Sequence, residues 1–227
     1  MKVLVINCYL DPKLAQEFEE EMARNLVLDQ ESVELIFALP ADGIPGRPND
    51  FSRLIVSGSE ASAWEDNPWD EELIKTIKAF VEASRPVLGI CYGHQFLIRA
   101  LVGKEHVRRR KKKVWGWLAL DLGDSRLFKG LDRLAAVTCN SDEVFDLPEE
   151  YRILAGADHC PVLAFEHRDK PIWGVQFHPE YERKYGQKVL DFTFTEAEEG
   201  SYTSLDQRWN EDCLKANARL FRNFLMV

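Results

Sequence analysis

No apolar stretch in the 227 residues approaches the roughly 18 that a membrane-spanning helix needs, so the sequence offers no candidate span. Met1 to Leu10 carries one lysine and a short apolar run, but Asp11-Pro12 follows without a small-residue cleavage site, and no signal peptide is expected. Cysteine is scarce. The five present are odd in number and irregularly spaced, which fits a reducing cytoplasm rather than a disulfide scaffold, and they lack the clustering of a zinc site. Positive charge is in deficit: 29 lysines and arginines against 38 acidic residues give a formal charge of -9, which argues against a nucleic-acid partner. No phosphate loop of the G-x-x-x-x-G-K type occurs, and no dinucleotide fingerprint follows the first apolar run, so neither a metal nor a cofactor is expected.

What remains is the composition of a soluble globular protein, 45% apolar and 30% charged, of a size for one large domain with modest additions. Lys2 to Asn7 reads as a buried first strand. Asp11 to Leu28 then places Leu14, Phe18, Met22 and Leu26 on one helical face. Val33 to Leu39 is a second strand, Pro40 to Asn49 a loop with three prolines and two glycines, and residues 53 to 57 a third strand closed by Ser57-Gly58-Ser59. Ala61 to Pro68 is a polar loop, and Trp69 to Glu82 a helix whose start is favoured by Asp70, Glu71 and Glu72. Trp64 reads as a residue packed on that helix, with a lid over a substrate as the alternative.

Arg85 to Gln95, R-P-V-L-G-I-C-Y-G-H-Q, concentrates the chemistry. Val87, Leu88 and Ile90 suit a buried strand, Cys91 falls at its end, Gly93 follows, and Gln95 to Leu101 reads as a helix. A thiol at such a strand-turn-helix elbow is lifted off the sheet edge with helix amides aimed at it, which favours the thiolate. The alternative is a buried structural cysteine. A second apolar strand, Ile172 to Phe177, ends in His178-Pro179-Glu180, which supplies a base and a carboxylate to orient it.

Together G-I-C-Y-G-H-Q at 89 to 95 and G-V-Q-F-H-P-E at 174 to 180 resemble the two signatures of class I glutamine amidotransferase domains. The nearest in pattern are the glutaminase domain of GMP synthase and its stand-alone relatives that act on γ-glutamyl peptides. L-I-V-S-G-S at 54 to 59, N-S-D-E-V-F-D-L-P at 140 to 148 and D-H-C-P-V-L-A-F at 158 to 165 extend the resemblance over about residues 50 to 182. It implies a nucleophilic Cys91, a general base and acid in His178, and an orienting Glu180. It also implies oxyanion or substrate-binding roles for Gly58, Ser59, Tyr92, Gln95, Asn140, Ser141 and Asp142, with the oxyanion amides at Ser59 and Tyr92. The implied fold is α/β and flavodoxin-like, an open, mostly parallel sheet with helices on both faces, as the alternation of strands and helices also suggests.

Several positions depart from the family pattern. Ser59 stands where a second glycine is common, Gly116 where V-W-G-W lacks the family's glutamate, and Asn140 where a histidine is usual. Arg108 to Lys113 are six consecutive cations, read chiefly as a solvated hairpin, with contact to a partner or product as the alternative. His94 and His159 are read as structural and His167 as exposed; His106 supplies no motif. Strands at 161 to 166 and 170 to 177 form a hairpin leading to His178.

Beyond residue 182 the chain continues as an expected helical extension, 183–227, to a core of about 1–182. It comprises a helix from Tyr181 to Phe194, a loop at 195 to 206 and a helix from Asn210 to Leu225. The resemblance then leaves three functions open. The first is a self-contained hydrolase of γ-glutamyl amide or peptide bonds. The second is a glutaminase subunit that delivers ammonia from glutamine to a separate synthetase, and the third is a non-catalytic binding or regulatory protein.

Overall fold

The computed structural model describes residues 1–28, 32–44, 47–194, 202–205 and 211–227. Its first half alternates strand and helix: β1 (Lys2–Ile6), α1 (Pro12–Asn25), β2 (Glu34–Ala38), β3 (Arg53–Val56), α2 (Asp70–Glu82), β4 (Val87–Ile90) and α3 (Tyr92–Leu101). Then follow β5 (Val107–Asp121), β6 (Arg133–Val144), β7 (Tyr151–Ala157), β8 (Cys160–His167) and β9 (Ile172–Val175). The chain closes with α4 (Arg183–Phe194), β10 (Tyr202–Leu205) and α5 (Glu211–Met226).

Seven strands form one sheet in the order β2-β1-β3-β4-β9-β8-β7, parallel from β2 to β9 and antiparallel at the β8 and β7 edge. With β9 as fifth parallel strand, this is the flavodoxin-like doubly wound order expected from the sequence. Helices lie on both faces because the central strands direct apolar side chains both ways. Along β1, Val3 and Val5 join Phe18 and Met22 of α1 and Leu220 and Phe221 of α5. Leu4 and Ile6 point the other way, to Leu73, Ile77 and Phe80 of α2 and Phe96 of α3. Helix α1 begins where Asp11 caps it, accepting from the Lys13 and Leu14 amides, with Pro12 in its first turn.

Three expectations about the second half need correction. The cationic run is part of β5, a 15-residue strand that pairs antiparallel with β6 in a second sheet, β10-β5-β6, and slips register between Arg109 and Val114. Within the segment read as a loop, Tyr202–Leu205 forms a strand parallel to Val114–Trp117, while 195–201 and 206 lie outside the described residues. Finally, the carboxyl-terminal helix belongs to the core: Leu220, Phe221, Phe224 and Leu225 are buried, and Arg53 donates to the carbonyls of Phe224 and Val227 at 2.9 and 2.6 Å. Among the described residues no helix is long and apolar enough to cross a membrane.

The elbow is tighter than the sequence suggested, since α3 starts at Tyr92, directly after Cys91. Cys91 makes the reversal itself, with φ 51° and ψ −102°, in a region that non-glycine residues enter at a cost of about 1–3 kcal/mol. Flanking glycines let the helix come down onto the strands. A Cβ on Gly89 would lie 2.4 Å from the Gly93 carbonyl oxygen, and one on Gly93 2.2 Å from that of Val56. Both obstacles are backbone and cannot move aside. Gly93→Ala is therefore expected to destabilise the protein by about 3 kcal/mol, a fall in Tm of roughly 6–12 °C by thermal denaturation. A Tm within a degree of the parent would show that the helix can lift away.

Candidate active site

Carboxyl ends of the parallel strands converge on one cleft, where Tyr9 follows β1, Ser59 follows β3, Cys91 ends β4 and His178 lies beyond β9. The segment after β9 is fixed by β6, whose Val137 carbonyl accepts from the His178 amide at 2.7 Å. His178 Nδ1 donates to Glu180 Oε1 at 2.7 Å, and the imidazole faces the same cleft as the Cys91 thiol, close enough for each to influence the other. Gln176 Nε2 points at Cys91 Sγ from 3.6 Å, and the thiol lies 3.7 Å from the Cys139 carbonyl oxygen. Thus the thiol, imidazole and carboxylate singled out in the sequence are brought together at one place.

Burial disfavours a charged imidazole at His178, which is only 4% exposed, yet the Glu180 carboxylate and the Cys91 sulfur outweigh that penalty and raise its pKa above the ordinary value. An imidazole so placed is suited to exchange a proton with the neighbouring sulfur. Two other thiols lack this environment. Burial pushes Cys8 far up and Cys160 up to about 12, so neither is a nucleophile near neutral pH.

The remaining histidines separate from the site. His94 is fully buried against Phe165, with ring centroids 4.8 Å apart, and burial drives its pKa down to about 3. A neutral ring packed beneath the elbow agrees with the structural role expected. His159 Nε2 is buried, and desolvation followed by the Arg110 charge lowers its pKa. His167, expected to be exposed, is instead half-buried, because its ring lies edge-on to Tyr151 and accepts from the Asp169 and Lys170 amides.

The cleft has a volume of about 410 Å³ and is walled by the loop after β3, by β5 and β6, and by α1 and α4. Ser59, Tyr92, Gln95, Asn140, Ser141 and Asp142 all line it. Their side chains are nevertheless largely committed within the protein. Gln95 Nε2 donates to the Asp142 carbonyl and to Gln176 Oε1, both at 2.9 Å, and Asn140 Nδ2 donates to the Asp142 carbonyl at 2.8 Å. Tyr92 turns its ring inward onto Phe96 and accepts from Trp69 Nε1, leaving its backbone at the cleft. The Asp142 carboxylate accepts from the Ser62 hydroxyl at 2.6 Å and meets Arg109 Nε at 2.8 Å. Gly58 is explained by space, for a Cβ there would approach Tyr9 Oη to 2.8 Å and His178 Cε1 to 2.9 Å.

Two further expectations fail. Trp64 is 42% exposed and does not line the cleft, so it is neither a lid nor packed away. Its loop is strapped down by Arg99, which donates to the Ala63 carbonyl at 2.8 Å and to Asp66 and Asp70 at 2.7 Å each. The cationic run is not simply a solvated hairpin: Arg109 pairs with Asp142 and Glu65, and Arg108 and Arg110 both pair with Glu143. Sequence reading missed Arg109 and Lys113 as cleft residues, and also Gln176, Tyr9 and Tyr181. Gln176 carried a signal, its place two residues before His178 on the same extended segment; a lone tyrosine after β1 carried none.

A doubly wound sheet brings a thiol, an imidazole and a carboxylate together at its carboxyl edge, the arrangement that a class I glutamine amidotransferase fold would present. The model of the family glutamine amidotransferase class-I matches residues 16–197, and the chain belongs to that family. It is 40% identical over 119 residues to a GMP synthase (glutamine-hydrolyzing) subunit of Pyrococcus furiosus, covering 51% of this chain and 62% of that one. The corresponding protein of Methanopyrus kandleri is 32% identical over 160 residues, covering 67% and 82%. The chain spans about three fifths of the length of the first curated relatives it matches. In fold it is similar to a glutamine amidotransferase of Methylobacillus flagellatus (TM-score 0.76, 18% identity, 99% and 94% of the two chains) and to one of Thermotoga maritima (TM-score 0.72, 21% identity, 99% and 96%).

Glu180→Gln keeps the shape and deletes the charge that favours the imidazolium. The alkaline limb of any pH-rate profile governed by His178 should move to lower pH. The raised folded pKa also contributes stability that is complete below the unfolded value near 6.5 and is lost as pH rises through the folded pKa. Stability of Glu180→Gln relative to the parent should accordingly be lowest below about pH 6.5, with the two converging at high pH. Parallel pH-stability curves would refute the coupling.

Proposed function

We propose that the protein hydrolyses the side-chain amide of glutamine to glutamate and ammonia through a γ-glutamyl thioester on Cys91. The observation that carries this reading is the contact of Cys91 with a buried His178 that Glu180 holds from behind. The sulfur of Cys91 forms a bond to the amide carbon, and the carbonyl electron pair moves to oxygen. Backbone amides of Ser59 and Tyr92 receive that charge. Tyr92 is the first residue of α3, so its N–H has no acceptor within the helix. Ser59 is pinned by its hydroxyl, which donates to the Cys8 carbonyl at 2.6 Å and accepts from the Ala61 amide at 2.9 Å. As the C–N bond breaks, His178 gives its proton to the departing nitrogen and ammonia leaves. Neutral His178 then takes a proton from water, the hydroxide adds to the thioester carbon, and cleavage of the C–S bond returns the thiolate and imidazolium.

Relatives named as parts of GMP synthase support a separate synthetase polypeptide in the role of partner, consuming the ammonia. Hydrolysis of γ-glutamyl peptides is the second reading, and it is favoured by one feature. The cleft runs past the thiol to Lys13, Glu17 and Val189, room that the amide of glutamine leaves empty and an amine-side residue would fill.

Cys91→Ala should lower turnover of glutamine by about 10³-fold or more while leaving the melting temperature close to that of the parent. Mass spectrometry of the native protein quenched during turnover should find the γ-glutamyl group on Cys91; an adduct on Cys8 or Cys160 would overturn the assignment. Parallel assays with γ-glutamyl dipeptides decide between the two substrates, because a higher kcat/KM for a dipeptide than for glutamine would favour the second.

A further inference from the structure

His178 has a neighbour that the chemistry above does not use. The Tyr181 ring lies face to face with the imidazole, with centroids 4.9 Å apart and planes 8° from parallel. Tyr181 is buried, so its hydroxyl needs a partner within the protein, and it has one in Tyr9 Oη at 2.5 Å. Tyr9 comes from the loop after β1, near the opposite end of the chain, and its ring rests on Phe18 at 5.5 Å. Its hydroxyl and His178 Cε1 both lie within 3 Å of the point where a side chain on Gly58 would begin. The absence of that side chain is what lets Tyr9 reach the edge of the imidazole. Behind Tyr181 stands Tyr185 of α4, at 4.8 Å, whose hydroxyl donates to Glu17 of α1, and Lys188 pairs with the same carboxylate.

We propose that Tyr181, tethered by the Tyr9 hydroxyl, is a positioning residue that holds the His178 ring in line with Glu180 and shelters its protonated form by stacking on it. The inference rests on the reading of His178 as the proton-transfer group. The groups against the imidazole itself support the same state, while the cations Lys13, Arg109, Lys113 and Lys188 stand elsewhere along the cleft. Cys91 approaches from the elbow, Glu180 occupies Nδ1, Tyr9 lies at the Cε1 edge and Tyr181 covers a face, with Tyr185 and Glu17 one layer out. An electron-rich face against a buried cation is attractive, and the attraction grows as water is excluded. The tether matters because an untied ring at a cleft wall would turn, and the imidazole could then swing off the line to the thiol. Helices α1 and α4 are thereby joined to proton transfer through an aromatic stack, which gives the tail of the chain a part in the site.

The test follows the His178 Cε1 proton by NMR through a pH titration, alongside the pH dependence of kcat and KM for glutamine. Tyr181→Leu removes the face. Its titration midpoint and the alkaline limb of kcat should fall together by about half to one pH unit, with kcat down about tenfold and KM within about twofold. Tyr181→Phe keeps the face but gives up the tether, and should restore the midpoint only in part. Tyr9→Phe cuts only the tether, carries little risk to folding, and should give an intermediate shift. A folded Tyr181→Leu with unchanged midpoint and kcat would overturn the proposal; if that variant does not fold, an unchanged midpoint and kcat in Tyr9→Phe would do so. The NMR midpoint needs no turnover, so a shift there in a protein whose activity survives Cys91→Ala would mean that the proposed function has failed and the stacking has not.

Discussion

The closeness of α3 to β3 and β4 is the constraint on which the site depends. Without side chains at Gly89 and Gly93 the helix can start one residue after Cys91, and the thiol is then presented at the helix's positive end rather than buried in the sheet. A backbone conformation unfavourable for cysteine is held because the surrounding packing leaves no alternative: the Cys91 amide donates to the Val175 carbonyl at 2.8 Å and the Gly93 amide to that of Ser57 at 2.9 Å. Those two bonds tie the elbow to β9 on one side and to the end of β3 on the other. The same strands carry His178 and Ser59, so one set of hydrogen bonds fixes the distances between all three.

Buried charge is handled throughout by pairing it. Arg99, Asp70, Asp142, Glu143 and Arg110 are all largely withdrawn from water, and each has an opposite charge within 2.8 Å. Such pairs add little net stability over an apolar core, but losing one member costs about 3–5 kcal/mol, so they enforce a single arrangement. Here the arrangement they enforce is the loop from Ser62 to Asp70, clamped to α3 by Arg99 and to β6 by Asp142. The cleft beside it is therefore bounded by a fixed wall. Two groups read as substrate contacts, the Gln95 and Asn140 amides, belong to that internal network, which is a matter of geometry that residue type does not reveal.

How far the sequence could be read depends on the range of the interactions involved. The first five parallel elements were legible because continuous apolar runs and Gly-Pro punctuation are local, and the triad was legible because Cys91 and His178-Pro179-Glu180 each sit in a short run of recognisable chemistry. The second sheet was not. Most of β5 has an ordinary strand composition, but its cationic half conceals the pattern, and β10 gains its structure only from a partner almost 90 residues earlier in the chain. The exposure of Trp64 and the partial burial of His167 were equally out of reach, since each is set by what lies against it.

By itself the sequence determined the order of strands and helices in the doubly wound half, pointed to Cys91, His178 and Glu180 as the candidate site, and gave the family to which the chain belongs. All of these are written in neighbouring residues, where backbone sterics and apolar periodicity act. Tertiary structure alone decided that Arg109 meets Asp142, that α4 closes the cleft, that α5 completes the core, and that Tyr9 and Tyr181 meet across 172 positions of chain to frame His178. Such contacts come from close packing between distant segments, and no residue announces its partner until the sheet has brought the two ends of the chain to the same edge.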